Sequence, residues 1–382
     1  MLQSLVADSS RQQLVAGSSL RSFTTSMKAA AAKAAQQQPA QAAATPLLAA
    51  AAAPKAKPQA QQQQQQQAAG SSQQPPSRRQ KSKKELAEDE GMSLWPLSER
   101  RDPAVWRALS GLSVTHGAWL GRGRDASQGT YDSLRLACAW RIENPRRSAR
   151  VEGGTRCMSD ELDCLKRKGG VAREVWRDMM TSSTAAALEA QGKLQLRAEL
   201  NEVLLLHGIP RSSLLTVLAN GLNERFSGTH AGAAFGNGAY LAEDLGKADQ
   251  YVDADANYDP ASDLHQRLYG RSYRHPGTAL HYALVCRVAL GHPIRTKDAG
   301  ALARSCDDPN ERVFPVNVRE LAPVPNLAPP MHYHSLIAEK GPGHDRYREF
   351  VIFHASDYIC PEYLIAYHRE NSSAQASRGP SR

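Results

Sequence analysis

Aromatic bulk is scarce in this chain: 6% of its 382 residues are Phe, Trp or Tyr, and only six are phenylalanine. No stretch reaches the roughly eighteen apolar residues that a membrane-spanning helix needs, so no span is predicted. The six cysteines (Cys138, Cys157, Cys164, Cys286, Cys306 and Cys360) form no CxxC pair and no Cys/His ladder with zinc spacing. They read as reduced thiols of an intracellular protein, and no metal is expected. His332 and His334 lie two apart, but two ligands do not make a site, and they read as exposed loop imidazoles. No internal repeat is visible. Gly236-Asn237-Gly238 lacks the third glycine of a dinucleotide fingerprint and precedes an extended segment where that fingerprint requires a helix, which excludes a Rossmann reading.

Acids are missing from the start of the chain. Residues 1–84 carry eleven Lys or Arg against Asp8 alone, a net +10, while the remainder holds 36 basic and 37 acidic residues, a net −1. The overall +9 therefore belongs to the tail, and a nucleic-acid role would rest there, chiefly on Arg78, Arg79, Lys81, Lys83 and Lys84. That cluster reads equally as a nuclear localisation patch and as a solvated hinge before the acidic stretch 85–90. Residues 29–70 are almost all Ala, Gln, Pro and Lys, with an unbroken run from Gln61 to Gln67. Such a stretch has too little apolar bulk to offset chain entropy, so 1–90 is predicted disordered. Residues 1–28, with Arg11, Arg21, Lys28 and many hydroxyls, are similar to an organellar transit peptide. Nuclear, cytoplasmic and organellar destinations all stay open.

Order is predicted from near Trp95. All five tryptophans lie between 95 and 176, so 91–133 is expected to pack onto the domain as a lead-in. Asp102-Pro103 starts a helix that Gly111 ends. A strand is predicted at 134–142, stopped by Asn144-Pro145. Residues 159–200 read as one or two amphipathic helices broken at Gly169-Gly170 and Gly192. A short apolar strand at 202–206 ends at His207-Gly208, and a helix at 212–220 follows, stopped by Gly221. Residues 226–238 read as a loop, 239–242 as extended, and 244–251 as a helix capped by Asp244. Further strands are predicted at 279–290, 348–353 and 362–367, the last with Tyr363, Ile365 and Tyr367 on one face. Short strands with helices placed irregularly between them argue for an α+β fold.

Taken together, His207, Tyr240, Tyr251 and Glu362 suit one chemistry. Cleaving the bond between nicotinamide and ribose develops positive charge on the ribose, and a nearby carboxylate lowers its energy. The same carboxylate can orient or deprotonate the incoming nucleophile. Two tyrosines can sandwich the flat nicotinamide ring, worth about 0.5 to 1.5 kcal/mol per aromatic pair. A glycine such as Gly208 can offer backbone donor and acceptor to the carboxamide because no side chain blocks the approach. Singly, each residue also reads as an ordinary structural one.

The collinear blocks Trp140-Arg141-Ile142-Glu143-Asn144-Pro145, Asn201-Glu202-Val203-Leu204-Leu205-Leu206-His207-Gly208, Gly221-Leu222-Asn223-Glu224-Arg225-Phe226, Phe235-Gly236-Asn237-Gly238-Ala239-Tyr240-Leu241-Ala242-Glu243, His334-Ser335-Leu336-Ile337, Tyr347-Arg348-Glu349-Phe350-Val351-Ile352 and Pro361-Glu362-Tyr363-Leu364-Ile365 carry a family resemblance. The stretch 134–370 resembles the catalytic domain of the poly(ADP-ribose) polymerase family, in its tankyrase-like and mono-ADP-ribosylating branch, with 371–382 a disordered tail. The resemblance implies a split pair of antiparallel sheets around an NAD cleft, with flanking helices. It also implies a His-Tyr-Glu triad carried by His207, Tyr240 and Glu362, with Glu362 catalytic. Gly208, Tyr251 and Asn223 join His207 and Tyr240 as NAD-binding residues. NAD is then the substrate, and the partners are protein acceptors, the chain itself among them. With Glu362 present, both single-unit transfer and polymer elongation stay chemically open.

The departures from the family pattern bear on the same residues. Ala248 stands where the family usually has a serine that bonds the carboxamide. Ile209-Pro210 follows where small polar residues are usual, and Asn223 stands where an acid or arginine is common near the adenosine. The zinc-binding insertion of tankyrases lacks its Cys/His ligands between Tyr251 and Val285, so no zinc is expected. A catalytically silent ADP-ribose-binding or interaction module is the alternative to an NAD-dependent transferase.

Overall fold

The computed structural model describes residues 91–115, 120, 131–170, 179–226, 233–270, 273–341 and 344–371. The predicted tails, the targeting segments, Trp119, Trp176 and part of the 226–238 loop lie outside the described residues. None of the described helices is long and apolar enough to cross a membrane.

The lead-in begins with β1 (Ser93–Leu97) and α1 (Pro103–Gly111), which opens on a proline at its first position, where the missing N–H costs nothing. β2 (Ser133–Glu143) stops at Asn144, whose Oδ1 accepts the Arg147 N–H at 3.1 Å and caps α2 (Pro145–Arg167). That helix starts well before the predicted residue 159, and it runs through Gly153-Gly154. Gly154 is tolerated there for its size: a Cβ would lie 2.6 Å from the Asp357 backbone oxygen, so the glycine permits close packing. After α3 (Ser182–Ala190) comes β3 (Glu202–Ile209), which extends past its predicted end and holds His207 and Gly208 within the strand. α4 (Arg211–Asn220) ends at Gly221, whose φ of +77° suits glycine.

β4 (Ala239–Leu241) leads into α5 (Leu245–Ala248), capped by Asp244 Oδ1 on the Gly246 N–H at 2.7 Å, and a 3-10 turn at Asp249–Tyr251. α6 (Asp263–Leu268), β5 (His281–Ala289), β6 (Pro293–Thr296), β7 (Ser335–Ala338), β8 (Glu349–Ile352), α7 (Ala355–Tyr358) and β9 (Ile359–Glu370) complete the order.

The strands form two sheets. One is antiparallel throughout, in the order β1-β2-β9-β5-β3; the other runs β4-β8-β7-β6, with β6 and β7 parallel. The expected pair of sheets is present, but the second is mixed where antiparallel pairing was expected. The lead-in does more than pack on the domain, since β1 adds a strand to the first sheet. Each face of that sheet is covered. Leu205, Ile209, Leu284, Cys286, Leu364 and Trp140 point into one core cluster; Leu204, Leu206, Ala283, Val285, Tyr363, Ile365 and Tyr367 point into another. Side chains of this kind contribute about 1.5–3 kcal/mol each when fully buried, and the interior strand β5 is buried along nearly its whole length.

Candidate active site

The two sheets meet where β3 and β4 touch. The Leu206 N–H donates to the Ala242 carbonyl at 2.7 Å, and the Ala242 N–H donates back at 2.9 Å. Alternate residues of a strand direct their N–H and C=O to the same side, so Gly208, two residues beyond Leu206, directs its own past Ala242, away from β5. Its unbranched backbone also touches the α5 turn, since a Cβ at Gly208 would overlap the Ala248 carbonyl. This is the donor–acceptor edge that a carboxamide requires.

His207 is held beside this edge by a bond from Nδ1 to the Tyr240 carbonyl at 2.8 Å. A carbonyl can only accept, so Nδ1 carries the proton and Nε2 presents a lone pair. Burial pushes the imidazole pKa down, against the smaller opposing pull of that bond, and keeps the ring neutral. Tyr240 sits on β4 opposite Val351 of β8. Its hydroxyl donates to the Gly236 carbonyl and accepts the Phe235 N–H, both at 2.8 Å, which fixes the ring. Gly236, at φ +91°, and Gly238, where a Cβ would lie 2.6 Å from Val351, let the preceding chain lie this close.

The second tyrosine, Tyr251, is 38% exposed and therefore open to a ligand. Lys247 Nζ lies 3.1 Å from its hydroxyl and 3.0 Å from Oε1 of Glu349, the first residue of β8. Burial works to lower the Lys247 pKa, but Glu349 and Tyr251 outweigh it and the net shift is upward. His344 Nδ1 stands 3.5 Å from the same Glu349 oxygen. Arg348 ties this strand start to Glu243, just after β4, with bonds of 2.6 and 2.9 Å. Glu349 is thus tied to Tyr251 through Lys247, and sequence reasoning did not single it out. Its signal was present, since it lies in the quoted block 347–352, two residues before the partner of Tyr240.

Glu362, expected to be catalytic, is elsewhere. Between Val285 and Cys286 the register of β5 and β9 shifts, pairing Val285 with Tyr363 and Cys286 with Pro361, so Glu362 is the extra residue of a β-bulge. Its carboxylate meets Arg287 Nε at 3.0 Å and Arg141 Nη2 at 3.7 Å. Arg287 pairs with Leu204 and shares its face of the sheet, whereas His207 points with Leu205 and Ile209 to the other. Arg287 also meets the buried Glu202 at 2.9 Å, and a cavity of about 740 Å³ opens there, lined by Arg141, Lys193, Arg197 and Glu362. The bulge has re-aimed the side chain away from the seam.

Asn223 is exposed, and its Oδ1 accepts the Arg225 N–H at 2.9 Å; no described contact joins it to His207 or Tyr240. Ala248 is buried in the second core cluster. His334 is a buried residue and not the exposed imidazole expected, with Nδ1 accepting the His292 N–H at 3.0 Å and Nε2 2.8 Å from Glu161.

Two sheets meeting at an edge that presents a neutral histidine, two tyrosines and a carboxylate belong to the α+β architecture of the ADP-ribosyltransferases. Residues 185–369 match the family described as poly(ADP-ribose) polymerase catalytic domain, and this part of the chain belongs to that family. None of the curated proteins matches the chain.

Proposed function

We propose that the protein is an NAD-dependent protein ADP-ribosyltransferase whose triad is His207, Tyr240 and Glu349. The observation that carries this reading is the Lys247 bridge, which joins Glu349 to Tyr251 at 3.0 and 3.1 Å on the Tyr240 side of the sheet seam. The outward edge of Gly208 receives the carboxamide, Tyr240 and Tyr251 flank the nicotinamide ring, and His207 Nε2 accepts from a ribose hydroxyl. The bond from ribose C1′ to the nicotinamide nitrogen breaks with its electron pair leaving on nicotinamide. Glu349 stabilises the oxocarbenium-like ribose, and an acceptor side chain attacks C1′ and passes its proton to the Glu349 carboxylate. The glutamate leaves single-unit transfer and elongation both chemically open, and the acceptor is a protein side chain.

Labelled NAD tests the assignment. Glu349→Gln should lower transfer by about 10²-fold or more, the scale of a lost acid–base or electrostatic group, while Glu362→Gln keeps most of it. The reverse ranking would return the catalytic role to Glu362. Absence of transfer by the parent chain, with ADP-ribose still bound, would favour the silent module, for which the apolar Ala248 speaks.

A further inference from the structure

One arginine is buried without a counter-ion. Arg147, in the first turn of α2, is 7% exposed, and no carboxylate lies within ion-pair distance of its guanidinium among the described residues. Asp357 acts on it from further off and is itself bound by Arg150 Nε at 2.7 Å. Cys360 is no substitute, since burial, and Glu362 after it, push that thiol up to about 11 and keep it neutral. Arg147 Nη2 donates to the Ser356 carbonyl at 2.8 Å, while Nε is buried with no hydrogen-bond partner among the described residues. A Cβ on Gly221 would lie 2.4, 2.5 and 2.6 Å from Nε, Cζ and Nη2, so that glycine rests against the face of the group and does not cover its edge N–H donors. The location makes the burial less favourable still. The positive end of a helix dipole disfavours a cation, yet the first turn of this 23-residue helix holds Arg146 and Arg147 and no acid. A buried charge of this kind is strongly destabilising unless a partner meets it.

A cavity of about 240 Å³ opens beside this arginine, with Arg141, Arg147, Ser148, Cys360 and Glu362 in its wall. We propose that this cavity binds a phosphate group, with Arg147 as its principal cation. A guanidinium presents donors in a planar fork that matches phosphate oxygens. Arg141 adds a second guanidinium, and the start of α2 adds the positive end of its dipole, which favours an anion. Ser148, whose hydroxyl lies against the Cys360 sulfur, can turn it toward a phosphate oxygen. The acids of the wall already have donors of their own: Glu143 accepts from Trp95 Nε1 at 2.7 Å, and Glu362 is bound by Arg287 Nε at 3.0 Å. Size selects the ligand. The volume falls below the roughly 300–1,000 Å³ of sites that enclose a whole small molecule, so it suits a phosphate group with water and not an entire nucleotide. The neighbouring cavity of about 740 Å³ shares Arg141 and Glu362 with it and offers room for the organic part of a small phosphate ester. None of these residues belongs to the seam of Tyr240 and Glu349, so the site does not rest on the NAD reading.

Calorimetric titration of the full chain at low salt, with inorganic phosphate and separately with ribose 5-phosphate, tests the site. About one phosphate should bind per chain, and the melting temperature in about 10 mM phosphate should exceed that in chloride of equal ionic strength. Tighter binding of ribose 5-phosphate would assign the site to an ester; tighter binding of inorganic phosphate would assign it to the free ion. Arg147→Met should bind phosphate about tenfold or more weakly, through the loss of a charge-assisted pair, and its melting should no longer respond to phosphate. If Arg147→Met does not fold, Arg141→Gln takes its place and should bind about threefold or more weakly. A parent chain that binds neither probe and melts alike in phosphate and chloride would overturn the proposal. So would a folded Arg147→Met, or Arg141→Gln in its place, that binds phosphate as the parent does.

Discussion

Ala248 shows what one missing hydroxyl should do. Its carbonyl crowds Gly208, and its side chain is buried among Leu204, Leu206 and Leu245. Ala248→Ser should bind nicotinamide-like inhibitors more tightly by roughly 0.5–1.5 kcal/mol, about two- to tenfold, through one added hydrogen bond. Without ligand the hydroxyl lacks that partner, so the free variant should melt slightly lower. Calorimetric titration and thermal melts measure both; an unchanged inhibitor affinity would show that residue 248 does not face the carboxamide. The contrast between Glu349 and Glu362 belongs to the same scale. Both are acids in largely buried strands, and only their neighbours tell them apart: Lys247 and His344 for one, Arg287 and Arg141 for the other.

Among the elements, α2 and α7 give a paired test of packing against propensity. At Gly153 a Cβ would meet nothing within 4 Å, whereas at Gly154 it would press on Asp357 at 2.6 Å. Gly153→Ala should therefore stabilise by about 0.5–1 kcal/mol through helix propensity. Gly154→Ala should destabilise by about 1–3 kcal/mol through overpacking. Urea unfolding of both variants decides it, and equal shifts would mean that the helices do not approach this closely. Elements with clear punctuation were legible beforehand: Asn144-Pro145 between β2 and α2, Gly221 after α4, and the apolar run of β5. The four-residue strands β6 and β7 and the short helices α6 and α7 were not. They are too short to show a period, and pairing alone makes the strands what they are.

At the scale of the molecule, one buried and one half-buried histidine set a pH response. Burial, helped by the nearby Arg369, pushes His281 down to about 4, and burial also lowers His207. A depressed folded pKa means that the unfolded chain binds more protons between the two values, so stability rises with pH across that window. For His281 the contribution is fully present above its ordinary 6.5 and is lost as pH falls toward about 4. The urea midpoint should fall between pH 7 and pH 4.5, with a smaller fall in His281→Phe; an identical fall in both would place the response elsewhere.

Order along the chain was enough to identify the family, because the blocks from Trp140 to Ile365 occur in sequence. His207, Gly208 and Tyr240 come together at the sheet seam, and their positions depend on local glycines and strand ends. Which glutamate lies on the side of the tyrosines was a tertiary matter. Counting alternate residues along β9 puts Glu362 opposite the face of Tyr363, but one unpaired residue at the bulge turns it toward Arg287, and that extra residue exists only in the pairing with β5. The cavity beside Arg147 is of the same kind, since β2, α2, α4 and β9 wall it together only once the chain has folded.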